Sequence, residues 1–165
     1  FGTVLAGDDA VGEMLATHHD RFAADMRHVA GRVELGLRVL WDQEAEKARE
    51  TAPTSADESP QDGRAYLMQR VRESQAEQAD RARAEAVAAR IHEQLAPAAA
   101  DSVRQVLAMP RFLLTAAYLV EAERVRAFRD RCQVVAEEMP RLRFLCTGPW
   151  PAYHFVTAQA PGKGG

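Results

Sequence analysis

Residues 142–156 read L-R-F-L-C-T-G-P-W-P-A-Y-H-F-V. Leu142, Phe144 and Cys146 alternate with Arg143, Leu145 and Thr147, the period of two that a strand produces. Gly148-Pro149-Trp150-Pro151 is expected to stop that strand, because each proline fixes φ and removes an N–H donor from a sheet ladder. Two prolines around a tryptophan make a stiff turn that holds a large aromatic in one place. Tyr153, Phe155 and Val156 extend the run, and so many restricted side chains in so few positions argue for packed structure. A strand that ends in a rigid aromatic turn needs a sheet to join, and the segments upstream supply one.

Arg32 to Trp41 is the cleanest of them. Val33, Leu35, Leu37, Val39 and Trp41 face one way, and Glu34, Gly36 and Arg38 face the other, so one face covers a core and the other is more polar. Arg111 to Val120 is a second strong strand. Its two faces are both apolar, Phe112, Leu114, Ala116, Tyr118 and Val120 against Leu113, Ala117 and Leu119, which places it centrally in the sheet. Ser102 to Leu107 is a weaker strand, followed by a turn at Ala108-Met109-Pro110. Three helices accompany these strands. The first starts near Asp8 or Asp9, either of which can cap it, carries Val11, Met14, Leu15, Phe22, Met26 and Val29 on one face, and stops at Gly31. A long helix runs from Gly63 to Leu95, anchored at its start by Tyr66, Leu67 and Val71 and at its end by Ala84, Val87, Ala88, Ile91 and Leu95. Its polar middle, with Glu77, Arg81 and Glu85 four apart, projects into water. The third helix, Glu121 to Met139, has a stripe of Val125, Phe128, Cys132, Val135 and Met139, and Pro140 closes it.

After the leading helix the order is strand, helix, strand, strand, helix, strand, the split βαβ or ferredoxin-like arrangement. The fold expected is therefore α+β: an antiparallel sheet with both helices on one face, the Arg32 strand beside the Arg111 strand, and the Leu142 strand flanking the first as an edge. The domain limits that follow are a leading helix over 1–30, the ferredoxin-like domain over 31–157 with a mobile loop at 42–62, and a disordered tail at 158–165.

Composition narrows the function. The 165 residues suffice for one domain with a real core, 47% of them apolar and 27% charged, and the net charge is −3. That charge gives no footprint for nucleic acid, and no apolar run approaches the ~20 residues of a membrane span. Cys132 and Cys146 share no metal-ligand spacing and read as two buried thiols in a reducing cytosol. His18, His19 and His28 form no i, i+4 pair with a carboxylate partner, so no metal site is expected. No nucleophile elbow, P-loop, dinucleotide fingerprint or zinc-hydrolase motif occurs. A Cys132–His154 thiol–imidazole pair is conceivable, but Cys132 lies on the apolar stripe of its helix, where a thiol is inert. The chain reads as a binding protein without cofactor, not an enzyme.

Thr147 to Val156, T-G-P-W-P-A-Y-H-F-V, resembles the C-terminal signature of the GvpL/GvpF family of gas vesicle proteins, whose usual form is TGPWPPYSFV. Ala152 stands for Pro and His154 for Ser. Four further segments are similar to family motifs in the same order. Phe1-Gly2-Thr3-Val4 resembles "RFGTV", Gly31 to Val39 the "GrvEWgvkv" strand, Gly63 to Leu67 the "G.aYL" helix start, and Ala116 to Val120 the "aAYLV" strand. Members usually carry a domain before the "RFGTV" segment, so the resemblance implies that this chain is the C-terminal part of such a protein.

The resemblance implies an accessory role in assembling the gas-filled protein shell, in the cytoplasm or on the gas vesicle. It implies contact with the small hydrophobic shell protein, with other accessory proteins, or with both. A subunit with a large apolar face needs a partner until it polymerises, because free apolar surface aggregates. The residues expected to meet such a partner are Trp150, Tyr153 and Phe155 with Pro149 and Pro151. These aromatics are expected to fold back over the core or a sheet edge, and where exposed to form an apolar patch; the two can coexist. Fold alone names no function. A ligand-binding regulatory domain and an oligomerisation module built on the long helix are the alternatives.

Overall fold

The computed structural model describes residues 4–41, 63–107, 109 and 111–156. The segments expected to be a mobile loop (42–62) and a disordered tail (158–165) lie outside the described residues. Seven principal elements follow in order: α1 (Asp8–Val29), β1 (Arg32–Leu40), α2 (Gly63–Leu95), β2 (Asp101–Val106), β3 (Phe112–Glu121), α3 (Val125–Glu138) and β4 (Arg143–Trp150). The sheet has the order β2-β3-β1-β4, and every neighbouring pair is antiparallel. This is the expected ferredoxin-like sheet, with β1 and β3 central and β2 and β4 at the edges.

The alternation read in β1 decides which side is covered. Leu35, Leu37, Val39 and Trp41 are buried with Leu114, Tyr118 and Val120 of β3. Against them lie Ala84, Ala88, Ile91 and Leu95 of α2 and Phe128, Cys132 and Val135 of α3. Each large apolar side chain so buried stabilises the fold by about 1.5–3 kcal/mol before ordering entropy is subtracted. Polar bonds join the two helices above this core. Gln94 accepts from Arg131 Nη2 at 3.1 Å and donates to Glu138 Oε2 at 2.9 Å. The indole N–H of Trp41 donates to the Met109 carbonyl at 2.6 Å, tying the end of β1 to the turn before β3.

The structure corrects four expectations. The Gly-Pro-Trp-Pro segment does not stop β4, which runs on to Trp150, paired with Glu34. Gly148 and Pro149 fall in a register shift between the Gly36–Thr147 and Glu34–Trp150 pairs, a bulge on an edge strand, where a proline removes no needed donor. The Gly148–Pro149 peptide is cis. Secondly, Tyr66, Leu67 and Val71 do not anchor α2: all three are exposed, and among the described residues the first buried side chain of the helix is Ala84. Its polar middle therefore extends outward together with its start. Thirdly, neither Asp8 nor Asp9 caps α1; Gly7 holds that position without a side-chain bond, and both aspartates sit in the first turn, where their charge still suits the helix dipole. Fourthly, α3 begins at Val125 because β3 continues to Glu121 and a 3-10 turn follows.

The sheet's other face is partly covered by α1 and by a 3-10 turn, Tyr153–Phe155. Phe155 packs on Ala117 and Leu119 of β3 with Val29 of α1 and Ala152. His28 Nε2 lies 3.0 Å from Asp101 Oδ2, joining the end of α1 to the start of β2. No residue of α1 is fully buried.

Candidate functional site

The outer face of the sheet alternates with the core face, so Glu34, Gly36 and Arg38 of β1 meet Thr115 and Ala117 of β3, and Leu145, Thr147 and Trp150 of β4. The aromatic turn bends over one end of this face. Beyond it the face is open as a groove of about 450 Å³, lined among others by Gly36, Arg38, Thr115, Thr147, Trp150 and Tyr153. Gly36 keeps the floor flat, since a Cβ there would stand 2.8 Å from Thr147 Oγ1. That hydroxyl donates to the Gly36 carbonyl at 3.4 Å.

Glu34 holds the turn. Only 4% exposed, it is a buried charged residue in a strand, which demands partners. His154 supplies two. Its backbone N–H donates to Glu34 Oε2 at 3.0 Å, and its ring Nδ1 lies 2.7 Å from Oε1. The tautomer with its proton on Nδ1 makes this contact a hydrogen bond donated by the ring. From the other side Arg129 Nη2 of α3 donates to the Gly148 carbonyl at 2.5 Å. Gly148 adopts φ +109°, and a Cβ there would meet the Glu34 carbonyl at 2.8 Å and Leu35 Cδ2 at 3.1 Å. Only glycine fits both the dihedral and the space.

Pinned in this way, the turn divides its aromatics. Phe155 is buried, 8% exposed, and anchors the turn on β3. Trp150 and Tyr153 are 53% and 51% exposed and flank the groove, with exposed Leu145 and Val103 nearby on the same face. One ring, Phe155, covers the sheet, and Trp150 and Tyr153 stand exposed beside the groove. Pro149 and Pro151 lie on either side of Trp150 within it.

His154 and Cys132 do not meet. His154 engages Glu34 on the outer face, whereas Cys132 is buried with the core on the other. His19 lies 3.2 Å from Asp20 in solvent, and His18 packs edge-on against Phe22. Among the described residues no group of three metal-capable side chains converges. No helix among them is long and apolar enough to cross a membrane. Sequence reasoning missed Glu34. Its lone acid among apolar neighbours was visible, but its partner lies 120 residues away.

The sequence profile of the family described as "Gas vesicle synthesis protein GvpL/GvpF" matches residues 1–157. The chain belongs to the GvpL/GvpF family. Among its relatives, gas vesicle protein L of Streptomyces sp. (strain CB03234) is 32% identical over 163 residues, 94% of this chain and 60% of that protein. Gas vesicle protein L1 of Halobacterium salinarum is 26% identical over 175 residues, covering 94% of this chain and 62% of that protein. The chain therefore spans about six-tenths of the length of these relatives. In fold it is similar to crystal structures of two GvpF proteins. That from Anabaena sp. PCC7120 superposes with a TM-score of 0.72 at 19% identity, over 97% of this chain and 65% of the other. That from Microcystis aeruginosa gives 0.68 at 16% identity, over 96% and 68%. This GvpL/GvpF protein has the α+β architecture of those structures.

Proposed function

We propose that the protein is an accessory factor of gas vesicle assembly that binds the small hydrophobic shell protein, other accessory proteins, or both, through the aromatic turn and the open sheet face beside it. The observation that carries this reading is that Trp150 and Tyr153 are half exposed on a turn fixed by Glu34, Arg129 and Phe155. Large rings held rigid before binding lose little entropy when a partner covers them, which is how aromatic hot spots gain affinity. Leu145 and Val103 widen the apolar area, and Arg38 adds a polar margin. Pro149 and Pro151 stiffen the segment, and Phe155 serves by seating it. A surface of this kind suits a client that must be kept from aggregating before it polymerises. The activity is binding without cofactor or catalysis, and the place of action is the cytoplasm and the growing vesicle.

Co-purification with the major shell protein, wild type against Trp150→Ala, tests the proposal, with circular dichroism to confirm folding. Shell protein retained by the wild type and lost by the folded variant supports it. A folded variant that keeps full affinity removes the turn as the docking site.

A further inference from the structure

The register of the sheet sorts its outer face into rows that cross the strands. Gln105 of β2, Thr115 of β3, Arg38 of β1 and Leu145 of β4 stand in one row. Val103, Ala117, Gly36 and Thr147 make the next, and Leu119, Glu34 and Trp150 belong to the third. Arg38 is therefore on a central strand, in the middle of the face rather than at its rim, and it is exposed. Among the described residues its guanidinium has no hydrogen-bond or ion-pair partner. Thr115 and Gln105 beside it can donate hydrogen bonds but bring no negative charge. Glu34 is the one acid among the described residues that line the groove, and it is buried and already bonded to His154. Arg104 lines the groove as a second cation. Around this charge the face is apolar, with Val103, Leu145, Trp150 and Tyr153 each about half exposed. Arg38 and Glu34 are four residues apart along β1, about 13 Å, and Gly36 between them adds no side chain to the floor.

We propose that this face takes a segment of the small shell protein in which a carboxylate side chain stands among bulky apolar ones. The carboxylate pairs with Arg38, and its apolar neighbours pack on Trp150, Tyr153 and Leu145. This partner chemistry deepens the docking function proposed for the same face and stands on it. A purely apolar segment laid over the groove would take Arg38 out of water with no counter-charge, which is costly. A basic segment would meet two arginines and find the only acid engaged. A carboxylate removes both penalties, because it can accept two parallel N–H bonds from the guanidinium fork. An apolar patch with a cation at its centre fits an apolar subunit that carries an acid in its contact surface, and the charge pair fixes the register in which the two meet.

The test co-expresses the chain with the major shell protein and measures how much shell protein co-purifies with the wild type, Trp150→Ala, Arg38→Gln, Arg38→Lys and Arg38→Glu. Arg38 is exposed, so its three variants should fold, which circular dichroism checks. Arg38→Gln should retain about a tenth of the wild-type amount or less, the effect of losing a charge-assisted bond in an interface. Arg38→Lys should retain more than Arg38→Gln, since an ammonium keeps the attraction without the paired geometry. Arg38→Glu should retain none. Replacing the acids of the shell protein by lysine, one at a time, should yield one variant that binds Arg38→Glu again. The proposal is overturned if the wild type retains no shell protein, if Arg38→Gln and Arg38→Glu retain the full amount, or if no lysine replacement rescues Arg38→Glu. Full retention by the Arg38 variants with loss in Trp150→Ala removes the carboxylate contact and leaves the docking surface standing. Full retention by every variant removes both.

Discussion

Replacing Glu34 tests the reasoning about the aromatic turn most directly. The carboxylate is buried and accepts two bonds from His154, one from backbone and one from the ring. A hydrogen bond to a charged group contributes about 1.5–3 kcal/mol. The backbone bond counts in that range because its donor is fixed in the turn. The ring bond is discounted to under about 1 kcal/mol, because the His154 side chain is largely exposed and water replaces its partner. Glu34→Ala is therefore expected to cost about 2–3 kcal/mol, roughly 5–10 °C in melting temperature for a chain of this size. Glu34→Gln keeps one acceptor for the backbone N–H and should cost about 1 kcal/mol. His154→Ala keeps the backbone bond and should cost less than about 1 kcal/mol. Thermal unfolding followed by circular dichroism gives the ranking. Hydrogen exchange at the amide of His154 gives the local effect, which should accelerate most in Glu34→Ala. The reasoning fails if all three variants lie within about 0.5 kcal/mol of the wild type, or if His154→Ala proves the costliest.

Gly148→Ala forces a Cβ to within 2.8 Å of a backbone oxygen at φ +109° and should cost about 2 kcal/mol or more, read from the denaturant midpoint. The hydroxyl of Tyr118 is buried with no hydrogen-bond partner among the described residues, so Tyr118→Phe should leave stability unchanged or raise it by up to about 1 kcal/mol in the same assay. On α2, Ile91→Ala should cost about 2–5 kcal/mol and Val71→Ala under about 0.5 kcal/mol, because the first is buried and the second exposed.

Much of the fold was legible in local pattern. The alternation in β1 and the stripe of α3 predict which side chains are buried, because a period of two or of 3.6 leaves little choice of face. The order of elements then implies the sheet. Three features escaped for physical reasons. Periodicity at Tyr66, Leu67 and Val71 shows that one side of α2 is apolar but not that anything lies opposite. Pro149 and Pro151 read as residues that stop the strand, whereas a bulge on the edge strand β4 accommodates Gly148-Pro149 and lets the strand run on to Trp150. The Glu34–His154 contact depends on tertiary pairing, which spacing does not encode. At the candidate site, the sequence singled out Trp150, Tyr153 and Phe155. It could not show that Phe155 is the anchor and the other two the exposed pair.

The shape of α2 has a consequence of its own. The helix rises about 1.5 Å per residue, so the stretch from Gly63 to Arg83 is a rod about 30 Å long with its root at Ala84. That length equals the width of a small domain. Gly63 is held that far from Ala84 along one stiff axis, so the helix acts as a spacer as well as a wall of the core. A cut along the rod would leave its start joined by the chain to β1 and its root joined to the core, so neither half would be released.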